Sequence, residues 1–158
     1  MNSLNRATTE CDTRAMLDWV DACPDADGTR VAALGYCMSG PFVVWAAAAF
    51  HDRIRAIAAI HGANWVTASS DSPHLAARRL RCEGYFACAE IDPWASREHV
   101  AQLETGLKAS GAPYRIEWYP GVQHGFSFPK REVYDRGASE RHFERAHQLF
   151  GRVLRPWG

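Results

Sequence analysis

The chain lacks the marks of several protein classes. Its eighteen Lys and Arg residues are balanced by eighteen Asp and Glu, so no excess charge draws it to nucleic acid or to a membrane surface. No apolar run approaches the ~20 residues of a membrane span. The stretch from Met1 to Glu10 has no apolar centre and is not a secretory signal. Paired cysteines are lacking: Cys11, Cys23, Cys37, Cys82 and Cys88 are odd in number and show no C-x-x-C spacing. They read as reduced thiols of a cytoplasmic protein, not as a disulfide frame or a zinc site. There is no repeat, no low-complexity tract and no linker, so residues 1–158 are expected to form one domain.

What is present is a core. Hydrophobic residues make up 47% of the 158 and aromatics 11%, and a chain of this length can bury roughly 70% of its unfolded surface. Residues Arg30 to Gly35, Ile54 to Ile60, Gly84 to Ala89 and Tyr114 to Tyr119 read as four short strands. Helical patterns precede, separate and follow them. The first is capped by Thr8 or Thr9 and carries an apolar stripe of Ala15, Met16, Trp19, Val20 and Cys23. Others run from Gly40 to about Phe50, from about His74 to Arg81, from about Pro93 to Ser110, and from about Arg136 to Leu154, with Pro156 as the stop. Strands alternating with helices imply βαβ units and a mostly parallel sheet of about four strands flanked by helices. In such sheets ligands bind beyond the carboxyl ends of the strands.

Three candidates for chemistry follow strands. In Gly35-Tyr36-Cys37-Met38-Ser39 a nucleophile-type residue lies between small residues two places before and two after it, the form of a nucleophile elbow. Crowded backbones at the turn require those small residues. A cysteine at a helix N-terminus is favoured as thiolate, and the backbone N–H of Met38 faces the place where an oxyanion would form. The bland alternative is a small buried thiol. Asp92 follows the third strand and His124 the fourth, so the chain order is nucleophile, acid, histidine. In that arrangement His124 takes the thiol proton and Asp92 fixes the imidazole's tautomer. Asp92 before Pro93 is also a turn former, and Glu90 is the rival acid. Tyr36, Phe126 and Trp94 flank the three and are the candidate substrate-binding side chains, with core packing the ordinary role of a tryptophan. His61 is a weaker pocket candidate because it ends a strand. The Arg78-Arg79-Leu80-Arg81 run reads as a solvated helix face.

With these motifs, Gly35-Tyr-Cys-Met-Ser-Gly40, Ala89-Glu-Ile-Asp-Pro93 and Tyr119-Pro-Gly-Val-Gln-His-Gly-Phe126, the chain resembles the C-terminal two-thirds of the dienelactone hydrolase family of α/β-hydrolases. The resemblance implies a Cys37-His124-Asp92 triad that hydrolyses a small ester or lactone through a thioester, with no metal and no organic cofactor. Three departures accompany it. Family members carry a further N-terminal portion, including the loop with a second oxyanion donor, and losing one such donor costs about 100- to 1000-fold in rate. Ser39 stands where the family commonly has glycine. Ser127-Phe128 stands where an arginine is expected to hold a substrate carboxylate, leaving Lys130 or Arg131 as substitutes. The missing portion would also leave the elbow strand as a bare edge, so a homodimer covering that edge is expected. Two functional readings follow: a small-ester hydrolase, or a hydrolase-like domain that only binds a small ligand or a partner.

Overall fold

The computed structural model describes residues 4–155; the expected stop at Pro156 lies outside them. In chain order the elements are α1 (Arg6–Asp21), β1 (Val31–Tyr36), a 3-10 turn (Cys37–Ser39), α2 (Gly40–Ala49), β2 (Ile54–Ile60) and α3 (Pro73–Ala76). There follow a second 3-10 turn (Ala77–Arg79), β3 (Glu83–Ile91), α4 (Arg97–Ser110), β4 (Tyr114–Gln123) and α5 (Arg136–Leu154). The four strands are all parallel and lie in the order β1-β2-β3-β4. This is an α/β fold, as the alternation of patterns implied.

Apolar residues line both faces of this sheet. On one face Ile54, Ile57, Ala59, Phe86 and Cys88 pack with α2, α4 and Leu17 of α1. On the other, Ala56, Ala58, Ile60, Tyr85, Ala87 and Ala89 pack with α5 through Ala138, Ala146 and Leu149. A strand covered on both sides reads as a continuous apolar run rather than an alternating one, and β2 is buried at every position but Arg55. Helix α2 is apolar on nearly all faces for the same reason: eight of its ten residues are buried. Its only indole, Trp45, donates Nε1–H to the Asp71 carbonyl at 2.8 Å. Glu117 on β4 anchors α5 by pairing with Arg141 and Arg145, and accepts a hydrogen bond from Tyr85.

Four details differ from the sequence reading. Helix α1 is capped by Asn5, whose side chain accepts from the Thr8 N–H, and not by Thr8 or Thr9. Its expected apolar stripe does not face the core. Trp19 is 71% exposed and Met16 66%, and only Leu17 is buried. Helix α4 begins at Arg97 with Ser96 as its cap, because Pro93 to Ala95 belong to the turn that carries Asp92. The helix expected from His74 to Arg81 is a single α-turn continued as 3-10, Pro73 to Arg79.

The register delivers the ends of three strands to one place. Ile91 of β3 lies opposite Gln123 of β4, and the His124 N–H donates to the Ile91 carbonyl at 3.1 Å. Asp92 and His124 therefore leave the sheet side by side. The Ala63 N–H donates to the Cys37 carbonyl at 3.1 Å, tying the tail of β2 to the elbow after β1.

Candidate active site

The elbow is built by close packing. Cys37 has φ +53°, in the left-handed region that costs a non-glycine residue of order 1–3 kcal/mol. The strain is held by its neighbours. A Cβ on Gly35 would stand 2.3 Å from the Ser39 carbonyl oxygen, so no other residue fits there without moving the turn. Ser39 contributes more than small size: its Oγ accepts from the Tyr36 N–H and donates to the Tyr36 carbonyl, both at 2.7 Å. The expected departure from glycine thus adds a clasp across the elbow. Pro41 lies in the first turn of α2, where its missing N–H leaves no bond unmade.

The three residues named from the motifs meet. His124 Nε2 lies 3.0 Å from Cys37 Sγ, and His124 Nδ1 lies 2.8 Å from Asp92 Oδ2. A carboxylate only accepts, so Nδ1 carries the proton toward Asp92 and Nε2 presents its lone pair to the thiol. Both partners are sequestered, with His124 and Asp92 side chains 8% and 2% exposed. Asp92 also keeps its turn role, since Oδ1 accepts from the Trp94 N–H at 2.9 Å. Asp92 thus contacts both His124 and the turn that follows it. Glu90 is turned away, accepting from the Gly121 N–H at 2.8 Å and pairing with Arg97 at 3.1 Å. Gly125, at φ +91°, takes the chain sharply out of the site directly after His124.

An open cleft of about 590 Å³ adjoins these residues, lined by Ile91, Asp92, Pro93, Trp94, Gln123, His124 and Arg131. Trp94 is therefore cleft wall and not core, and is 57% exposed. Met38 lies beside Cys37 with its side chain exposed. Tyr36 is half-buried, its hydroxyl 3.2 Å from His142 Nε2 on α5. Phe126 does not match its expected place in a binding surface. It is fully buried, stacked on Tyr119 at 5.1 Å and edge-on to His142, because the turn after His124 folds back beneath the sheet end. Arg131 was named only as a substitute cation, and it does line the cleft, its guanidinium 5.7 Å over the Phe128 ring. Missed in its importance is His61, fully buried against His124 at 4.9 Å between ring centroids. The only sequence signal for it was its position at a strand end. Among the described residues no group of three or more His, Cys, Asp or Glu is placed to hold a metal ion. No helix among them is long and apolar enough to cross a membrane.

Residues 1–154 match the dienelactone hydrolase family. The chain belongs to that family. Among curated proteins, the usf protein of Aquifex pyrophilus is 26% identical over 123 residues, covering 77% of this chain and 51% of its own. A Synechocystis protein bearing a carboxymethylenebutenolidase designation is 23% identical over 147 residues, covering 91% and 59%. The chain thus spans between half and six-tenths of the length of these relatives. Among solved structures, the dienelactone hydrolase-like promiscuous phosphotriesterase P91, from metagenomic libraries, superposes with a TM-score of 0.79 at 22% identity. That match covers 94% of this chain and 63% of P91. At such identity the likeness speaks for the fold alone, and the fold is that of the family.

Proposed function

We propose that this dienelactone hydrolase-family chain hydrolyses small carboxylic esters or lactones with Cys37 as nucleophile, His124 as general base and acid, and Asp92 as the group orienting His124. The observation that carries the reading is the unbroken line Sγ, Nε2, Nδ1, Oδ2 at 3.0 and 2.8 Å. In the first step the Cys37 thiol gives its proton to His124 Nε2 as Sγ bonds to the carbonyl carbon. The tetrahedral oxyanion is received by the backbone N–H of Met38. Its collapse breaks the C–O bond, and the departing oxygen takes the proton from Nε2. A water then gives a proton to Nε2 and attacks the thioester. The C–S bond breaks, the acid leaves, and the proton returns to Sγ. The proton transfers in this cycle run between Cys37, His124, the substrate and water.

The cleft walls suggest the kind of substrate. Trp94 and Ile91 offer apolar surface and Arg131 a cation, which suits a small ester whose apolar body carries a carboxylate. We further propose residues 1–158 as one α/β-hydrolase-like domain acting in the cytoplasm, with a second copy of the chain covering the edge at β1. The support is an apolar groove of about 420 Å³ beside that strand, lined by Leu17, Val31, Ala33, Leu34, Phe42 and others. The exposed Met16 and Trp19 of α1 extend it. No nucleic acid, membrane or cofactor has a part in this reading.

The test is hydrolysis of a p-nitrophenyl acylate by the purified chain beside Cys37→Ala and His124→Ala. Turnover that falls at least 1000-fold in both variants is expected, since the two residues act as a unit. An equal trace in all three proteins would leave a hydrolase scaffold that binds and does not turn over.

A further inference from the structure

His61 is a histidine in an unusual position. It is fully buried, it stands at the end of β2 with φ +38°, and four other rings surround it. Tyr36, His124, Phe126 and Phe128 have centroids 6.0, 4.9, 5.2 and 5.2 Å away, and the last three meet it edge to face. Its Nε2 lies 2.7 Å from Ser127 Oγ, while Nδ1 has no partner among the described residues. Its own N–H donates to the Ala87 carbonyl at 2.7 Å, and two residues later Ala63 is bonded to Cys37. The imidazole is thus fixed to β3 through its backbone and to the turn after His124 through Ser127.

Packing alone does not call for an imidazole here. A phenylalanine ring would fill the same space and leave no buried nitrogen unpaired. What the imidazole adds is the bond to Ser127, which fixes the plane of the ring that abuts His124. His124 is held at its edges by Cys37 and Asp92, but neither contact prevents the ring from tilting out of their common plane. A tilt moves Nε2 off the thiol, and a misplacement of about 1 Å can cost ~100-fold in rate. The ionisable groups around His61 are His124, Asp92 and His142, with Tyr36 at the ring's far side. Burial, with His124 close by, holds His61 neutral down to about pH 4, so it adds no second positive charge beside the base.

We infer that His61, tethered to Ser127, is a positioning residue that wedges the His124 imidazole into line with Cys37 and Asp92. The inference rests on the triad proposed above and assigns a residue outside it. It is tested by alkylating the chain with iodoacetamide at pH 7 and following each cysteine by mass spectrometry, which needs no turnover. The proteins are wild type, His61→Asn, Ser127→Ala and His124→Ala. Asparagine tolerates the left-handed backbone but is too short to reach both Ser127 and the His124 ring. Expected is a fall of about tenfold in the Cys37 rate in His61→Asn and about threefold in Ser127→Ala. Exposed Cys11 serves as internal reference, and buried Cys82 and Cys88 stay protected. Ester kcat falls in parallel while KM stays within about twofold.

Wild-type Cys37 rates in both His61→Asn and Ser127→Ala, with His124→Ala slow, would overturn this inference and leave the triad standing. Loss of protection at Cys82 and Cys88 in those variants would also overturn it, because the role would then be structural. If His124→Ala labels Cys37 as fast as wild type, the triad reading falls and this inference with it.

Discussion

The centre of the sheet and its β1 margin both present apolar faces, and the two faces end differently. At the centre, β2 and α2 are apolar throughout and buried almost throughout. At the margin, β1 is also apolar and α1 carries an apolar stripe, yet Leu34 is 41% exposed and Trp19 71%. The difference is cover. β2 has a strand on either side and helices on both faces, while β1 has a strand on one side only among the described residues. An apolar pattern records that a face is built for burial and is silent about what buries it. The site, formed on the tails of β1, β3 and β4 and buttressed from β2, draws on both regions: Asp92 follows the covered β3, while Cys37 and His124 follow the two edge strands, β1 and β4.

Substitutions in the two regions sharpen this contrast. Ile57→Ala, at the fully buried centre, is expected to cost about 2–5 kcal/mol in urea unfolding. A cost below 1 kcal/mol would mean that the central core is loosely packed.

Acid comes next in size. Burial first, then the nearby His124, push His61 down to about 4 from its ordinary 6.5. Between those values the unfolded chain binds a proton that the folded chain refuses, so stability falls as pH falls through that window. By pH 4 the loss from His61 alone is about 3 kcal/mol. His142, also lowered chiefly by burial, acts in the same direction. Unfolding measured at pH 7 and pH 4.5 in wild type and His61→Asn isolates the share of His61: the variant should lose less stability on acidification. An equal loss in both would show that His61 is not the acid-sensitive group.

The smallest effect is expected at the margin. Trp19→Ser should change the stability of the folded chain by no more than about 0.5 kcal/mol, while weakening self-association seen by sedimentation at micromolar concentration. A wild-type chain that sediments as a monomer would contradict the proposed dimer.

The same contrast explains what could be read before the structure. Ile54–Ile60 and Arg136–Leu154 appear with the bounds their patterns indicated, because each is delimited by a clear change of period or by turn residues. The meeting of Cys37, Asp92 and His124 was legible because all three stand directly after strands, and a parallel sheet gathers its strand tails at one end. Glu90 and Asp92 were not separable by motif. Register separates them: Ile91 opposite Gln123 sets Asp92 beside His124, and Glu90 caps the Gly121 N–H instead. The burial of Phe126 is not legible locally because it depends on Tyr119, seven residues before it, and on α5, which begins ten residues after it. His61 reaches His124 across 63 residues of sequence, a contact that no local pattern encodes.

Cys37 as nucleophile is tested most directly by trapping the acyl intermediate. The chain is mixed with p-nitrophenyl butyrate, quenched in acid within one turnover, and digested for peptide mass spectrometry. A butyryl group is expected on the peptide containing Cys37, absent from Cys37→Ala and strongly diminished in His124→Ala. Butyrylation spread evenly over Cys11, Cys23 and Cys37, or none at any of them while p-nitrophenol is released, would contradict a Cys37 nucleophile.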